Sequence, residues 1–199
     1  LESAKAKLAE SKETPTGKLR VTTTVGLGTG WLSARVQEFV ELYPDLQVQL
    51  ILDNEELDLN MRQADCALRL RQPQQPDLIQ RRLFTVHFHA YAAPSYISRF
   101  GKPESVADLD NHRIVNFGEP APTYLTDINA LEIIGRPEGD PRPVIFQINN
   151  LVSVKSAVQR GIGIGLLPDY LIDKESNLVQ VLPEMEQPSF DTYFCYPEA

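Results

Sequence analysis

Two arginines two residues apart, Arg69 and Arg71, are the groups best suited to do chemistry in this chain. They close the run ADCALRL. In a strand, residues i and i+2 share a face, so the two guanidiniums can act together. Each offers a fork of donors that fits a carboxylate. Thr22, Thr23 and Thr24 end another strand-like run, LRVTTTV, just before Gly26-Leu27-Gly28-Thr29-Gly30 and a helical pattern. Hydroxyls beside helix N-terminal amides favour an anion. Asn116 with Phe117, and Asn149 with Asn150, end two further apolar runs. In open α/β sheets, ligands sit beyond the carboxyl ends of strands. Four such ends meeting at one cleft would clamp a small molecule. The plainer alternatives are threonines that merely suit a strand, and arginines held in salt bridges, with Glu55 or Asp65 as partners. On the binding reading, Arg69→Ala costs ligand affinity and leaves the fold intact.

Other chemistry finds little support, and no cofactor, metal or catalytic residue is expected. His87 and His89 put two imidazoles on one strand face, but no third ligand is near in sequence. The glycine-rich turn lacks the Gly-Lys-Ser/Thr of a phosphate loop and the spacing of a dinucleotide fingerprint. There is no Gly-x-Ser-x-Gly elbow. Cys66 and Cys195 lie inside apolar runs and read as small buried hydrophobes in a reducing compartment. The formal net charge is −8, and no tract of basic residues offsets it, which argues against nucleic-acid binding by this chain alone. No apolar run is long enough to span a membrane and no signal peptide opens the chain, so a cytoplasmic protein is expected.

The elements that must position these groups can be read from periodicity. Residues 147–168, QINNLVSVKSAVQRGIGIGLLP, form a strand end, a polar helix start, a helix and a second strand. Leu151, Val154 and Val158, with Ala157 beside them, make one buried helical stripe. Asn149 or Asn150 is the helix N-cap, and Gly161 stops the helix. The strand 163–167 is so poor in side-chain bulk that it must lie under a close neighbour. Upstream, strands at 19–25, 46–52 and 64–70 alternate with helices at 32–43 and 55–63, which implies a parallel sheet with right-handed crossovers. The first of those helices should bury Leu32, Val36, Phe39 and Val40. Separate strands are expected at 78–84 and 87–93, others at 113–117, 124–128, 131–134, 144–148 and 178–182. A last strand at 192–196 returns to the first block. The expected organisation is the end of a linker helix and a linker at 1–17, a first subdomain at 18–86 plus 190–199, and a second at 87–189, without one sheet running across both.

These segments, in this order, resemble the effector-binding domains of LysR-type transcriptional regulators. LRVTTTVGLGTGWL, FVELYPDLQVQLILDNEELDL, ADCALRL, RRLF, YAAPSYI and the 161–168 segment carry the likeness. It implies an α/β fold of two Rossmann-like subdomains in a periplasmic-binding-protein-like (type 2) arrangement with crossover strands. It places effector contacts at Thr23, Thr24, Val25, Gly26, Asn54, Arg69, Arg71, Asn116, Phe117, Ile148, Asn149 and Asn150. Many members carry Ser or Thr at the position of Gly26, so no hydroxyl contact is expected there. The implied partners are a small effector, with an anionic one favoured, and a homodimer or tetramer paired through residues 32–43 and 47–52. DNA would be bound only through an N-terminal helix-turn-helix absent from this chain. The competing readings are a transporter's free-standing solute-binding protein and an enzyme on a similar fold.

Overall fold

The computed structural model describes residues 14–198. The expected linker helix therefore lies outside the described residues, apart from the linker's last positions. Strand β1 (Gly17–Thr23) runs between β2 (Leu46–Leu52) and β3 (Cys66–Arg69), parallel to both. Val21 faces Leu50 on one side and Cys66 on the other. The returning strand β9 (Ser189–Pro197) pairs antiparallel with β3, as expected, and its other edge pairs with β4 (Leu78–Ala92).

Strand β4 is the correction to the sequence reading. Two strands were expected where one of 15 residues forms. Residues 78–87 pair with β9, with a register shift between Arg82 and Phe84. Residues 88–92 pair with β7 (Gly165–Pro168) and β8 (Val179–Gln180). The sheet is therefore continuous in the order β2-β1-β3-β9-β4-β7, and the division between two lobes falls along β4. The short gap at 85–86 has no turn residue, and Val86 and Phe88 bury on one face, so nothing interrupts the ladder.

The second lobe adds the parallel pair β5 (Ile114–Asn116) and β6 (Val144–Gln147). Backbone bonds from Val115 N to Ile164 O and from Ile164 N to Arg113 O, both 2.8 Å, tie β5 to the start of the glycine-rich strand. That tie explains the glycines. A Cβ on Gly163 would lie 2.5 Å from the Arg113 carbonyl oxygen, and one on Gly165 would lie 2.8 Å from Val158.

Four helical pieces matter to the site. A single turn, α1 (Val25–Leu27), follows β1 and runs on through irregular helix into α2 (Val36–Leu42). The second lobe carries α3 (Pro94–Phe100) and α4 (Leu151–Gln159). Helix α4 follows the sequence closely. Leu151, Val154, Ala157 and Val158 are buried, the Asn150 side chain accepts from Ser153 N at 3.1 Å, and Gly161 turns the chain at φ +73°. Helix α2 does not. Its Val36 and Phe39 are half-buried and Val40 and Leu42 are exposed, so the expected core stripe faces outward instead. Residues 55–63 form turns, not a helix, with Asp58 accepting from Asn60 N and Met61 N. Residues 123–132 form a 3-10 run, not strands, kinked at Asn129.

The main core joins both lobes. Phe88, Tyr96, Leu27, Leu109 and Ile164 are all fully buried in it. Each such side chain contributes on the order of 1.5–3 kcal/mol by leaving water. Cys66 and Cys195 are free and buried, and burial pushes their thiols up to about 12 and about 11. Among the described residues no helix is long and apolar enough to cross a membrane.

Candidate functional site

The carboxyl ends of β1, β2 and β3 open on a cleft closed from the far side by the 120–124 loop and Asn149. The outer part has a volume of about 490 Å³. An inner niche of about 10 Å³ lies between β1, β3 and the 53–57 turn.

The first strand brings three threonines, all buried. Thr24 is used at once as the N-cap of α1, accepting from Leu27 N at 3.4 Å. Thr23 has no partner for its Oγ1 although it is only 4% exposed. The free amide of Val25, the donor that could have met an anion, points to Asn54 Oδ1 at 3.4 Å. Gly26 is a packing residue. A Cβ there would meet Tyr170 Oη at 2.9 Å and Leu151 Cδ1 at 3.3 Å. The rest of the glycine-rich turn follows suit, because a Cβ on Gly28 would fall 2.1 Å from Leu52 Cδ2 and one on Gly30 would fall 2.4 Å from Leu171 Cδ2.

Asn54 spans the cleft. Its Oδ1 serves the first lobe at Val25, and its Nδ2 donates to Asn149 O of the second lobe at 3.1 Å. Tyr124 reaches Asn54 O with its hydroxyl at 3.5 Å. Burial, with help from the Glu56 charge, raises the Tyr124 hydroxyl to about 12, so it stays a neutral donor.

The arginines are not free. Arg71 grips Glu56 with both arms, Nε to Oε1 at 3.1 Å and Nη2 to Oε2 at 2.8 Å. Its guanidinium also lies over the Tyr124 ring at 4.7 Å. The bond to Glu56 raises the Arg71 pKa above its ordinary value, against a smaller opposing effect of burial. Arg69 is 5% exposed and donates from Nη2 to Leu57 O at 2.8 Å and to Gln75 Oε1 at 3.1 Å, with Nη1 at 3.9 Å from Glu56. The expected partners Glu55 and Asp65 play no part in this. Asp65 pairs with Arg20 instead.

From the second lobe only Asn149 lines the cleft among the residues singled out in sequence. Asn116 is fully buried, donating to Glu132 Oε1 with its Oδ1 unpartnered. Phe117 is buried, its backbone held on both sides by the Asn129 side chain. Ile148 is half-buried against α4 and bonds Asn116 O through its amide, and Asn150 is spent as the N-cap. So Thr23, Thr24, Asn54, Arg69, Arg71 and Asn149 come together, Val25 and Gly26 lie behind them in the first turn of α1 and do not line the cleft, and Asn116, Phe117, Ile148 and Asn150 support the fold nearby. Sequence reasoning missed Asp53, Glu56 and Tyr124. The run DNEELD at the carboxyl end of β2 was the available signal for the first two. Tyr124 gave none. Among the described residues no group of three metal-ligating side chains comes together.

Two α/β lobes that share crossing strands and close on one cleft define the periplasmic-binding-protein-like (type 2) fold. The LysR substrate binding domain family matches residues 12–199, and the chain belongs to that family. It is 36% identical over 113 residues to an HTH-type transcriptional regulator of Xanthomonas campestris pv. campestris, covering 57% of this chain and 33% of the relative. It is 27% identical over 187 residues to the HTH-type transcriptional regulator CrgA of Neisseria meningitidis, covering 92% of this chain and 60% of CrgA. The chain thus spans less than two thirds of these curated relatives. The solved regulatory domain of CrgA superposes with a TM-score of 0.77 at 25% identity, covering 92% of this chain and 90% of that one.

Proposed function

We propose that this chain is the effector-sensing domain of a LysR-type transcriptional regulator, binding a small organic molecule in the cleft between its lobes. The observation that carries the reading is Asn54, one side chain bonded to Val25 N on one lobe and Asn149 O on the other. A ligand that displaces or reinforces such a bridge has different contacts in open and closed states, which is what lets binding bias a conformation. Residues 18–86 with 190–199 would be one moving body and 87–189 the other, since the partners of β4 change between His87 and Phe88. DNA would be read by a helix-turn-helix outside this chain, in the cytoplasm, and the ligand would modulate that reading.

A homodimer, or a tetramer built from dimers, would pair through α2 and β2. Their exposed Val40, Leu42 and Leu52 suit burial against a second copy, flanked by the polar Arg35, Gln37, Glu38 and Glu41. The anionic ligand expected from the sequence draws less support from the arginines, because Glu56 holds Arg71 with two bonds and Arg69 gives Nη2 to Leu57 O and Gln75. A transporter's solute-binding protein is not favoured, given relatives named as regulators.

The test is a thermal-shift screen of small organic molecules against the chain and its Tyr124→Leu and Asn54→Ala variants. A ligand that stabilises the parent and loses at least tenfold in affinity in either variant supports the cleft. Hits that ignore both variants count against it.

A further inference from the structure

We infer that the cleft takes a ligand bearing a cationic nitrogen, an ammonium or amidinium, seated in the inner niche against Asp53, Glu55 and Thr23 Oγ1. This rests on the effector-sensing reading above and gives the ligand's class.

Most of the donors that would greet an anion are already engaged. Val25 N is taken by Asn54, Arg71 holds Glu56 with Nε and Nη2, and Arg69 gives Nη2 to Leu57 O and Gln75 with Nη1 3.9 Å from Glu56. At the second lobe's helix start, Ser153 N is taken by Asn150. The acceptors, by contrast, are nearly all open. The Asp53 carboxylate receives only the Glu55 amide, through Oδ1 at 3.0 Å. The Glu55 carboxylate has no partner among the described residues. Asp53 and Glu55 line both the niche and the outer cleft. The niche lining carries three carboxylates, those two and Glu56, against the one guanidinium of Arg69.

Thr23 supplies the independent observation. It lines the same niche, is 4% exposed, and its Oγ1 makes no hydrogen bond. Buried hydroxyls are nearly always paired, so an unpaired one lining a niche marks a place for a partner. A hydroxyl oxygen accepts from an ammonium as readily as from water. The niche, at about 10 Å³, has room for one group the size of a water molecule, which is the size of an ammonium head. The larger outer cleft, walled by Tyr124, Pro120 and Pro122, would hold the ligand's organic body. A carboxylate placed in the niche would meet the Asp53 and Glu55 carboxylates, and the one cation there, Arg69, already stands beside Glu56.

Titration calorimetry with skeleton-matched pairs tests this. The probes are 1,4-diaminobutane against succinate, and benzylamine against benzoate, in about 0.15 M salt to screen the chain's net negative charge. At least one amine should bind and neither acid should. Asp53→Asn and Glu55→Gln should each weaken amine binding about tenfold or more, the usual size of a charge-assisted contact. Thr23→Val should weaken it less, and Glu184→Gln, an exposed acid away from the cleft, should leave it unchanged. Circular dichroism melts confirm folding of each variant. The inference is overturned if neither amine binds, or if amine binding is indifferent to both acid substitutions. Acid binding lost in Tyr124→Leu keeps the effector reading and sinks the cation. Binding of any probe that survives Asp53→Asn, Glu55→Gln and Tyr124→Leu alike sinks both.

Discussion

Arg142 in the second lobe and Arg69 in the first are both almost completely buried, and the two regions use them differently. Arg142 is a hub. Its Nε donates to Asp110 at 2.6 Å, Nη1 to the carbonyls of Leu131 and Ile134, and Nη2 to that of Val106. It thereby ties the 106–111 turn, the 123–132 run and the start of β6 into one body, three segments with little regular backbone pairing between them. Arg69 ties only the 56–57 turn and Gln75 to the end of β3, and it shares Glu56 with Arg71. Sequence position did not show what the two share. The strand-end arginine looked like a ligand group, and the one inside a Pro/Gly-rich loop attracted no notice. A buried guanidinium is costly unless each arm is satisfied, so its partners decide its role, and those come from distant segments.

The largest effect is therefore expected at Arg142. Arg142→Met keeps the length of the side chain but takes the donor from three carbonyls, while Asp110 keeps Arg136 at 3.0 Å. Each buried acceptor left without a donor typically costs about 1–3 kcal/mol. Urea denaturation should show it, and a loss below about 1 kcal/mol would mean the segments hold together without the hub. Arg69→Met should cost less, roughly 1.5–3 kcal/mol for its charged hydrogen bonds. This reverses the sequence expectation, in which Arg69 mattered to affinity and not to folding. If Arg69→Met leaves stability untouched, the contrast between the two arginines is no more than one of position.

What sequence could and could not show follows the same line. Strands β1, β2, β3 and β9 and helix α4 were legible because each carries its own period or caps. Asn150 and Gly161 bound α4 where their types predict. The continuous strand β4 was not legible, since the expected break fell at Thr85 and Val86, and these two pair with Asp191 and Phe190 of β9, which only the folded chain brings alongside. Helix α2 misled for the opposite reason. Its apolar stripe is real, but nothing in a period says whether the same chain or a second copy covers it. Around the cleft, the end of β1, Arg69 at the end of β3, Arg71 just beyond it and Asn149 line the walls, Asn116 and Phe117 do not, and the capping loops at 53–58 and 120–124 obey no period.

A further prediction separates support from recognition at Asn150. As an N-cap it should contribute about 1 kcal/mol to stability, lost in Asn150→Ala. As an effector contact, its loss would lower affinity instead. Paired denaturation and binding measurements on one variant decide between them. Lowered stability with unchanged affinity places Asn150 with Arg142 and Arg69, among the residues that hold the walls.

The smallest effect belongs at the exposed end of the arginine series. Arg82 donates to Asp191 Oδ1 at 2.8 Å, and both side chains are largely in solvent. The bond from Arg82, and then the one from the Thr85 hydroxyl, holds the Asp191 carboxyl at about 2, below its ordinary value of 3.8. The folded form thus favours the ionised acid. Its stabilisation is fully present above the unfolded value, near pH 4, and is lost as the pH falls through about 2. Water and salt screen an exposed pair, so the contribution is small and falls further at high ionic strength. Asp191→Asn removes the titrating group. The stability difference between parent and variant should be constant from neutral pH to about 5 and shrink between about 4 and 2. Denaturant midpoints across that range measure it. A difference that instead grows on acidification would show that Asp191 is not held ionised by Arg82, and that even the solvent-facing arginine has been assigned the wrong partner.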